Sequence, residues 1–515
     1  MAKDVLINAG AGEVRVAVVE DGVLDQLWLE RTIGFEEVPG RKRERAANGS
    51  SRSIVGDIIL GRVQRVLPAM QAAFVNVGID RAGFLAAREA RPRTAIFRDD
   101  PYTDEDRQLR ISDFVREGEE ILVQVVKDPI AEKGARLSAN ITIPGRLLIL
   151  VVNSPGVALS RRIEDEIERT RLTQIVEGFA RDPTGEFIPE AGYILRTAAI
   201  GAGEVELKED AARLCAAWRE IEARRKVAAS PATLYMDLGP IERALRDEVD
   251  GSVARVLIDD REAAGAARAY AAIAMPEMAD KIRFYEGPTP LFEDWGIEDE
   301  IAGLAEPRVP LPSGGWITIE ATEALTAIDV NSGSYIAAGG LEETSLKVNL
   351  EAAEAIGRQL RLRGIGGLIV IDFIHLSEPA NIQRLLDALN AACVKGRVPS
   401  QILGMSEFGL VEMTRKRVRD PLAKRLTENC RRCDGHGRRK TVETVAVEMM
   451  RRIERAAAAA PGKQIVLRAA PVMVRWLEAH EDEIRGVLGR RGVMRFRIEA
   501  HGDQRRENFN VETLN

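Results

Sequence analysis

Cysteine, histidine and aromatic residues are all scarce in this chain. Only four cysteines occur among its 515 residues, too few for the disulfide framework of a small secreted protein. Cys215 and Cys393 lie singly in helix-like stretches and read as small core residues; Cys430 and Cys433 alone are paired, as C-x-x-C. The four histidines, His375, His436, His480 and His501, are scattered, which disfavours chemistry run by two histidines as acid and base. No apolar run approaches the roughly 18 residues of a membrane span. The start Met1-Ala2-Lys3-Asp4 lacks the apolar stretch of a signal peptide, and a cytoplasmic protein is expected. Positive charge is also in deficit, with a formal net charge of -7. Over the whole chain that argues against a nucleic-acid partner, because binding phosphates draws on Lys and Arg. Clustering reverses the inference, since Thr414 to Lys440 holds 11 Lys/Arg against 3 Asp/Glu.

With 45% hydrophobic and 30% charged residues, the chain can bury several cores, and at about 150 residues per domain roughly three or more domains are expected. No internal repeat is visible. Residues 5 to 30 alternate apolar and polar around two turns and read as a strand meander. The polar stretch Gly40 to Ser53 has the composition of a flexible loop. From Ile54 to about Ile143, short strands and glycines suggest a small barrel, with Arg91 to Gln108 as a long loop inserted in it. An apolar strand, Leu147 to Val152, precedes a charged helix around Arg161 to Phe179 and a long helix near Lys208 to Ala228. Mixed strands and helices continue to about Ala305. A further α/β unit starts at Pro307, and a last one fills Thr441 to Asn515.

The sharpest chemical signal lies between Pro310 and Ile374. Trp316 to Glu320 and Leu325 to Asn331 read as paired strands after the turn Pro312 to Gly315. The two-residue period puts Leu325, Ala327, Asp329 and Asn331 on one face. A helix from about Glu342 to Arg363 carries Leu346, Leu350, Ala353, Gly357 and Leu360 at helical spacing. Arg358, Arg361 and Arg363 stand in its last turns, where cations complement the dipole, and Gly364 is a stop signal. Then comes Leu368 to Ile374, an apolar run of the kind that forms a strand buried on both faces, with Asp372 its only charge. A carboxylate in such a run costs several kcal/mol unless paired or metal-bound. Magnesium prefers oxygen ligands, keeps several waters and is commonly held by one or two carboxylates, which Asp329 and Asp372 at the ends of neighbouring strands would supply.

Leu311 to Gly315, Thr322 to Ser332, Arg358 to Arg363, Gly366 to Ile374 and Phe408 to Arg417 resemble, in the same order, the catalytic motifs of the ribonuclease E/G family. The resemblance implies a magnesium-dependent endoribonuclease that hydrolyses single-stranded RNA to 5′-phosphate and 3′-hydroxyl products, in rRNA processing and mRNA decay. It assigns Asp329 and Asp372 as Mg²⁺ ligands and Asn331 as the hydrogen-bonding partner at the scissile phosphate. His375 departs from the family, standing where an acid is expected. The implied fold is α/β multidomain: an RNase H-like scaffold in two parts (1–39 and 238–305), an OB-type RNA-binding domain (54–143) and a 5′-sensor domain (144–237). A DNase I-like catalytic domain (306–426), a zinc link (427–440) and a small C-terminal α/β domain (441–515) follow. The chain resembles the shorter ribonuclease G-like form, or an isolated catalytic half of the longer one.

By the same resemblance, Phe74, Phe84 and Lys133 match RNA-contacting positions of the OB-type domain, where exposed rings stack bases. Gly145, Ile149, Arg161, Arg196 and Thr197 match the pocket for a 5′ monophosphate, with Arg162 an equal alternative to Arg161. The segment Cys430-Arg431-Arg432-Cys433-Asp434-Gly435-His436 reads better as a zinc site than as a redox pair, because glycines and not a helix start follow it. A closed zinc site needs four ligands. The resemblance implies two cysteines from each of two chains, making Zn²⁺ a clamp in a homodimer or homotetramer; Arg431 replaces a usual proline. His436 and Cys393 completing the site within one chain is the alternative. A non-catalytic RNA chaperone or scaffold, with structural acids, is the rival function.

Overall fold

The computed structural model describes the chain apart from residues 1–2, 11, 32–52, 93–108, 130–132, 181–187, 189–190, 335–339, 397, 418–420, 429, 431–432, 434, 436, 491–492, 494, 503–504 and 515. The polar loop from Gly40, most of the loop to Gln108, Arg431 and His436 therefore lie outside the described residues. The chain divides into two compact units, Met1–Ala423 and Lys424–Asn515. No helix among the described residues is long and apolar enough to cross a membrane.

The alternating pattern of residues 5 to 30 forms three antiparallel strands, Lys3–Gly10, Glu13–Glu20 and Val23–Arg31. Val253–Ile258 then pairs parallel to the first of these and Ile282–Phe284 parallel to Val253–Ile258. One sheet is thus assembled from segments far apart in sequence. Val5, Ile7, Val256 and Ile258 pack on one face against Ala267 and Ala271 of the helix Arg261–Ala274. Leu6, Val19 and Leu27 pack on the other against Phe292, Ile301 and Leu362.

Between those segments lie two inserted sheets. Strands Ile58–Leu67, Ala72–Asn76, Gly83–Ala86, Arg136–Ser138 and Glu120–Lys127 close into a five-stranded barrel, because the first pairs with the last as well as with its neighbour. This is an OB-type architecture. Ala232–Tyr235 adds to it at Ile58–Leu60. The next sheet orders Gly156–Leu159, Gly192–Leu195, Leu148–Val151 and Thr142–Pro144, with the helices Glu166–Ala180 and Glu204–Arg225 packed on it through Leu172, Val176, Leu207 and Leu214. The buried Asp210 of the second helix accepts hydrogen bonds from the backbone N–H groups of Leu147 and Leu148, at 2.9 and 3.0 Å.

The six-stranded sheet from Arg308 onward has the order Arg308–Pro310, Trp316–Ala321, Leu325–Asn331, Gly367–Asp372, Leu410–Arg415 and Ser400–Met405. The helices Leu341–Leu362 and Pro379–Val394 cover one face, through Leu346, Ala353, Leu360, Leu385 and Leu389. Gly364, with φ 63°, ends the first helix as its sequence suggests. The arginines near that end do more than complement the dipole, for which Arg361 stands in the last turn. Arg361 is buried, donates to the Ala392 carbonyl at 2.8 Å and pairs with Asp25. Arg358 pairs with Glu300 at 2.6 Å, and the buried Arg363 donates to the Glu306 carbonyl at 2.6 Å. They tie this helix to the first sheet and the segment after it, because the helix end is enclosed by neighbouring elements.

The second unit is a three-stranded sheet centred on Gln464–Ala469, parallel to Phe496–Ala500 and antiparallel to Asn510–Leu514. Helices Val442–Ala459 and Pro471–Ala479 enclose its core through Val445, Met449, Met473 and Leu477.

The two helices under the six-stranded sheet cross at Gly357, where an added Cβ would come within 2.6 Å of the Ala392 side chain and 2.9 Å of its carbonyl oxygen. Backbone cannot rotate aside as a side chain does. Gly357→Ala is expected to lower stability by about 1–2 kcal/mol despite the better helix propensity of alanine, read as a lower denaturation midpoint.

Candidate active site

Asp329 and Asp372 are direct register partners in the parallel pair Leu325–Asn331/Gly367–Asp372. Paired residues in adjacent strands point to the same face, so the two carboxylates stand side by side. Asp329 is exposed at the end of a strand whose Thr326, Ile328 and Val330 are buried, as the two-residue period requires. The Asn331 side-chain amide donates to Asp329 Oδ2 at 2.6 Å. Three groups singled out by sequence are therefore adjacent.

The environment of Asp372 differs from the sequence expectation. Its strand is not buried on both faces: Ile369 and Ile371 are buried, but Leu368 is 41% exposed, Val370 half-buried and Asp372 exposed. The physical reason is that, among the described residues, the helices packed on this sheet cover one face. Desolvation thus does not mark Asp372 out. The mark is the juxtaposition of two like charges, which destabilises cross-strand neighbours unless something offsets the repulsion.

The donor chemistry fits magnesium, since two exposed carboxylates leave the remaining coordination to water. Among the described residues no cluster of three or more His, Cys, Asp or Glu groups could hold an ion. The helix Leu341–Leu362 positions its surroundings. The buried Asn349 donates to the Ile374 carbonyl at 2.7 Å and accepts from the Ile374 N–H at 3.0 Å, fixing the chain just beyond Asp372. Glu351 accepts from the Ser313 N–H at 2.9 Å. Glu342 accepts from Ser377, Glu378 and Asn381, and these hydrogen bonds, Asn381 foremost, hold its carboxyl below the usual range. His375 is exposed in the same loop. Asn349 went unremarked in the sequence although a signal was present: an asparagine three residues after Leu346 and four before Ala353, in the apolar stripe.

On the barrel, Phe74 and Phe84 are register partners with ring centroids 6.0 Å apart in an edge-on arrangement. Both are half-buried and outside the barrel core, which Val75, Leu85 and Leu137 fill. Arg65 pairs in register with Phe74, and Arg136 with both Phe84 and Lys127. All three cations are exposed, as is Lys133. Two rings thus lie in a basic row, and Arg65, Lys127 and Arg136 were missed because only the cross-strand register reveals them.

In the next sheet, Arg196 donates to the Gly145 carbonyl and to Asp247 Oδ1, both at 2.6 Å. Burial opposes the charge on Asp247, yet Arg246 and Arg196 hold its carboxyl below the ordinary value. Thr197 is exposed, with its hydroxyl 3.2 Å from that of Ser160. Ile149 is half-buried opposite Ile194. Gly145, Arg196, Thr197 and the start of the 160–162 segment are thereby brought together. Arg162 donates to the Gly396 carbonyl at 2.5 Å, and both Arg161 and Arg162 are exposed.

Cys430 is exposed and Cys433 half-buried; the Cys433 N–H donates to the Cys430 carbonyl at 3.3 Å, so the backbone turns between them. They precede the capped helix start at Thr441 and do not occupy it. Cys393 is buried, and burial pushes its thiol up against the pull of Arg415 and Arg361, which disfavours the thiolate a zinc ligand requires.

A family model described as the Ribonuclease E/G family matches residues 142–418, and one described as RNase E/G, Thioredoxin-like domain matches residues 429–514. The chain is 39% identical over 485 residues to ribonuclease G of Escherichia coli strain K12, covering 94% of each chain. It is 38% identical over 498 residues to ribonuclease G of Haemophilus influenzae, covering 95% of this chain and 96% of that one. With ribonuclease E of Escherichia coli strain K12 the identity is 36% over 460 residues, 88% of this chain but 40% of the relative.

Proposed function

The chain belongs to the ribonuclease E/G family, in a form of ribonuclease G-like length, and on that footing we propose that it is an endoribonuclease. Its substrate is single-stranded RNA, cut by magnesium-dependent hydrolysis to leave 5′-phosphate and 3′-hydroxyl ends in RNA processing and decay. The observation that carries this reading is the in-register pair Asp329 and Asp372 with Asn331 hydrogen-bonded beside them. The family architecture comes with it: an RNase H-like first sheet, a 5′-sensor sheet over residues 144–237 and a DNase I-like sheet over residues 306–426.

When bound, magnesium supplies charge neutralisation at the phosphate oxygens and lowers the pKa of an attacking water. Asp329 and Asp372 hold that cation through their carboxylate oxygens. Asn331 uses one amide N–H on Asp329 and offers the other to a phosphoryl oxygen. Phe74 and Phe84 stack bases while Lys133 and its basic neighbours take phosphates, holding the strand. Arg196 and Thr197, with Gly145, Ile149 and Arg161, receive a 5′ monophosphate; the hydrogen bonds of Arg196 to Gly145 and Asp247 use two of its five N–H donors. Cys430 and Cys433 offer two thiolates to zinc, completed by a second chain. A chaperone that only remodels RNA is the rival, and it needs neither acid.

Asp329→Asn and Asp372→Asn are each expected to cut cleavage by at least about a hundredfold while leaving RNA affinity within a few-fold, because a neutral amide is a poor magnesium ligand. The measurement is single-turnover cleavage of a labelled oligonucleotide, with a chelator control; near wild-type turnover in either variant, or cleavage under chelation, removes that assignment. For the 5′ pocket, oligonucleotides ending in monophosphate, hydroxyl or triphosphate are to be compared. The monophosphate should be cut fastest and Arg196→Ala should erase its advantage; equal rates for all three ends count against the pocket. Metal analysis is expected to give about one zinc per two chains, with the dimer lost in Cys430→Ser/Cys433→Ser. One zinc per chain would place the four ligands within a single chain instead.

A further inference from the structure

The open face of the six-stranded sheet is electrostatically one-sided. On its strands this face presents Glu320, Asp329, Asp372 and Glu412, all exposed, and a single cation, Arg308. An RNA strand laid there meets four carboxylates, of which the proposed magnesium ion answers two. The only attraction supplied by the strands themselves comes from Arg308.

Arg308 is exposed and, among the described residues, makes no ion pair or side-chain hydrogen bond. It is nevertheless held in place: its guanidinium lies 3.8 Å from the centroid of the Trp316 ring, a cation–π contact that leaves the N–H groups available. Trp316 is half-buried and is the register partner of Asn331, and its ring is packed closely enough against Gly333 that a Cβ there would come within 3.3 Å. The register row Arg308, Thr318, Asp329, Asp372 runs straight across four strands. At about 4.8 Å per strand, Arg308 stands roughly 10 Å from Asp329 along the row. A phosphate at Arg308 is a different one from the phosphate at the carboxylates.

We propose that Arg308, held over the Trp316 ring, binds a phosphate of the single-stranded substrate beside the scissile one. The pair then forms a positioning subsite that fixes the strand over the two acids. This rests on the reading of Asp329 and Asp372 as the cutting site. An unpaired arginine at a fixed distance from the acids sets the register of the backbone without reading bases. Arg308 binds phosphate equally before and during reaction, so its loss is felt in KM and not in kcat.

The test uses the full chain and a fluorescein-labelled single-stranded RNA, with anisotropy measured in chelator across a salt series and cleavage measured in magnesium. Arg308→Gln is expected to weaken binding and raise KM by about fivefold to tenfold, with kcat within about twofold. The slope of log affinity against log salt should fall by about 0.7, the value of one phosphate contact on a single strand. Arg308→Lys should restore the slope, and Trp316→Leu should raise KM while keeping it. An unchanged slope in a folded Arg308→Gln protein, checked by its melting midpoint, overturns the proposal. So does a loss confined to kcat, or a failure of Arg308→Lys to restore the slope. Should the wild-type protein bind RNA without cutting it, the reading of the acids fails, whereas the salt slope still reports on Arg308.

Discussion

Parallel pairing of Leu325–Asn331 with Gly367–Asp372 is the constraint on which the candidate site depends, because it alone makes Asp329 and Asp372 neighbours. A parallel pair cannot be joined by a tight turn and needs a crossover, which the helix Leu341–Leu362 provides. The same helix then fixes the ends of the segments it connects, through Asn349 to Ile374 and Glu351 to Ser313. One element therefore both brings the acids together and holds the backbone around them. A one-residue slip in this register would turn one carboxylate into the apolar core, where Ile328 and Ile371 now sit.

Rigidity at that helix extends beyond its own sheet. Arg361 joins Asp25, Arg358 joins Glu300, and Arg363 reaches the Glu306 carbonyl, so the helix end is cross-linked to the N-terminal sheet and its trailing segment. Such pairs add modest stability, since the Coulomb gain is set against desolvation. Their larger effect is geometric, because a guanidinium with a fixed fork of donors admits few arrangements. The strands that carry the acids are thus joined by an element anchored at several points, while Phe74 with Phe84 and the Arg196 cluster lie on separate sheets.

How much was legible in the sequence depended on the range of the interaction involved. The strand Leu325–Asn331 and its exposed face, the long helix, the Gly364 stop and the N-terminal meander all follow from periodicities of two and 3.6 and from backbone preferences, and they stand in the structure. Asp329 and Asp372 stand out in the sequence because carboxylates punctuate apolar stretches there. The reason first attached to Asp372 did not survive: an apolar run does not say whether one face or both will be covered, and here one is open.

By itself, then, the sequence determined the local elements and, through long motif blocks, the family. Tertiary structure alone decided which residues meet: Asp329 with Asp372, Phe84 with Arg136, Arg196 with Asp247, and Arg361 with Asp25. The physical reason is that secondary structure is set by forces acting within a few residues. Register between strands, the side of a sheet that helices cover, and the partners of long charged side chains are set by the packing of elements distant in sequence.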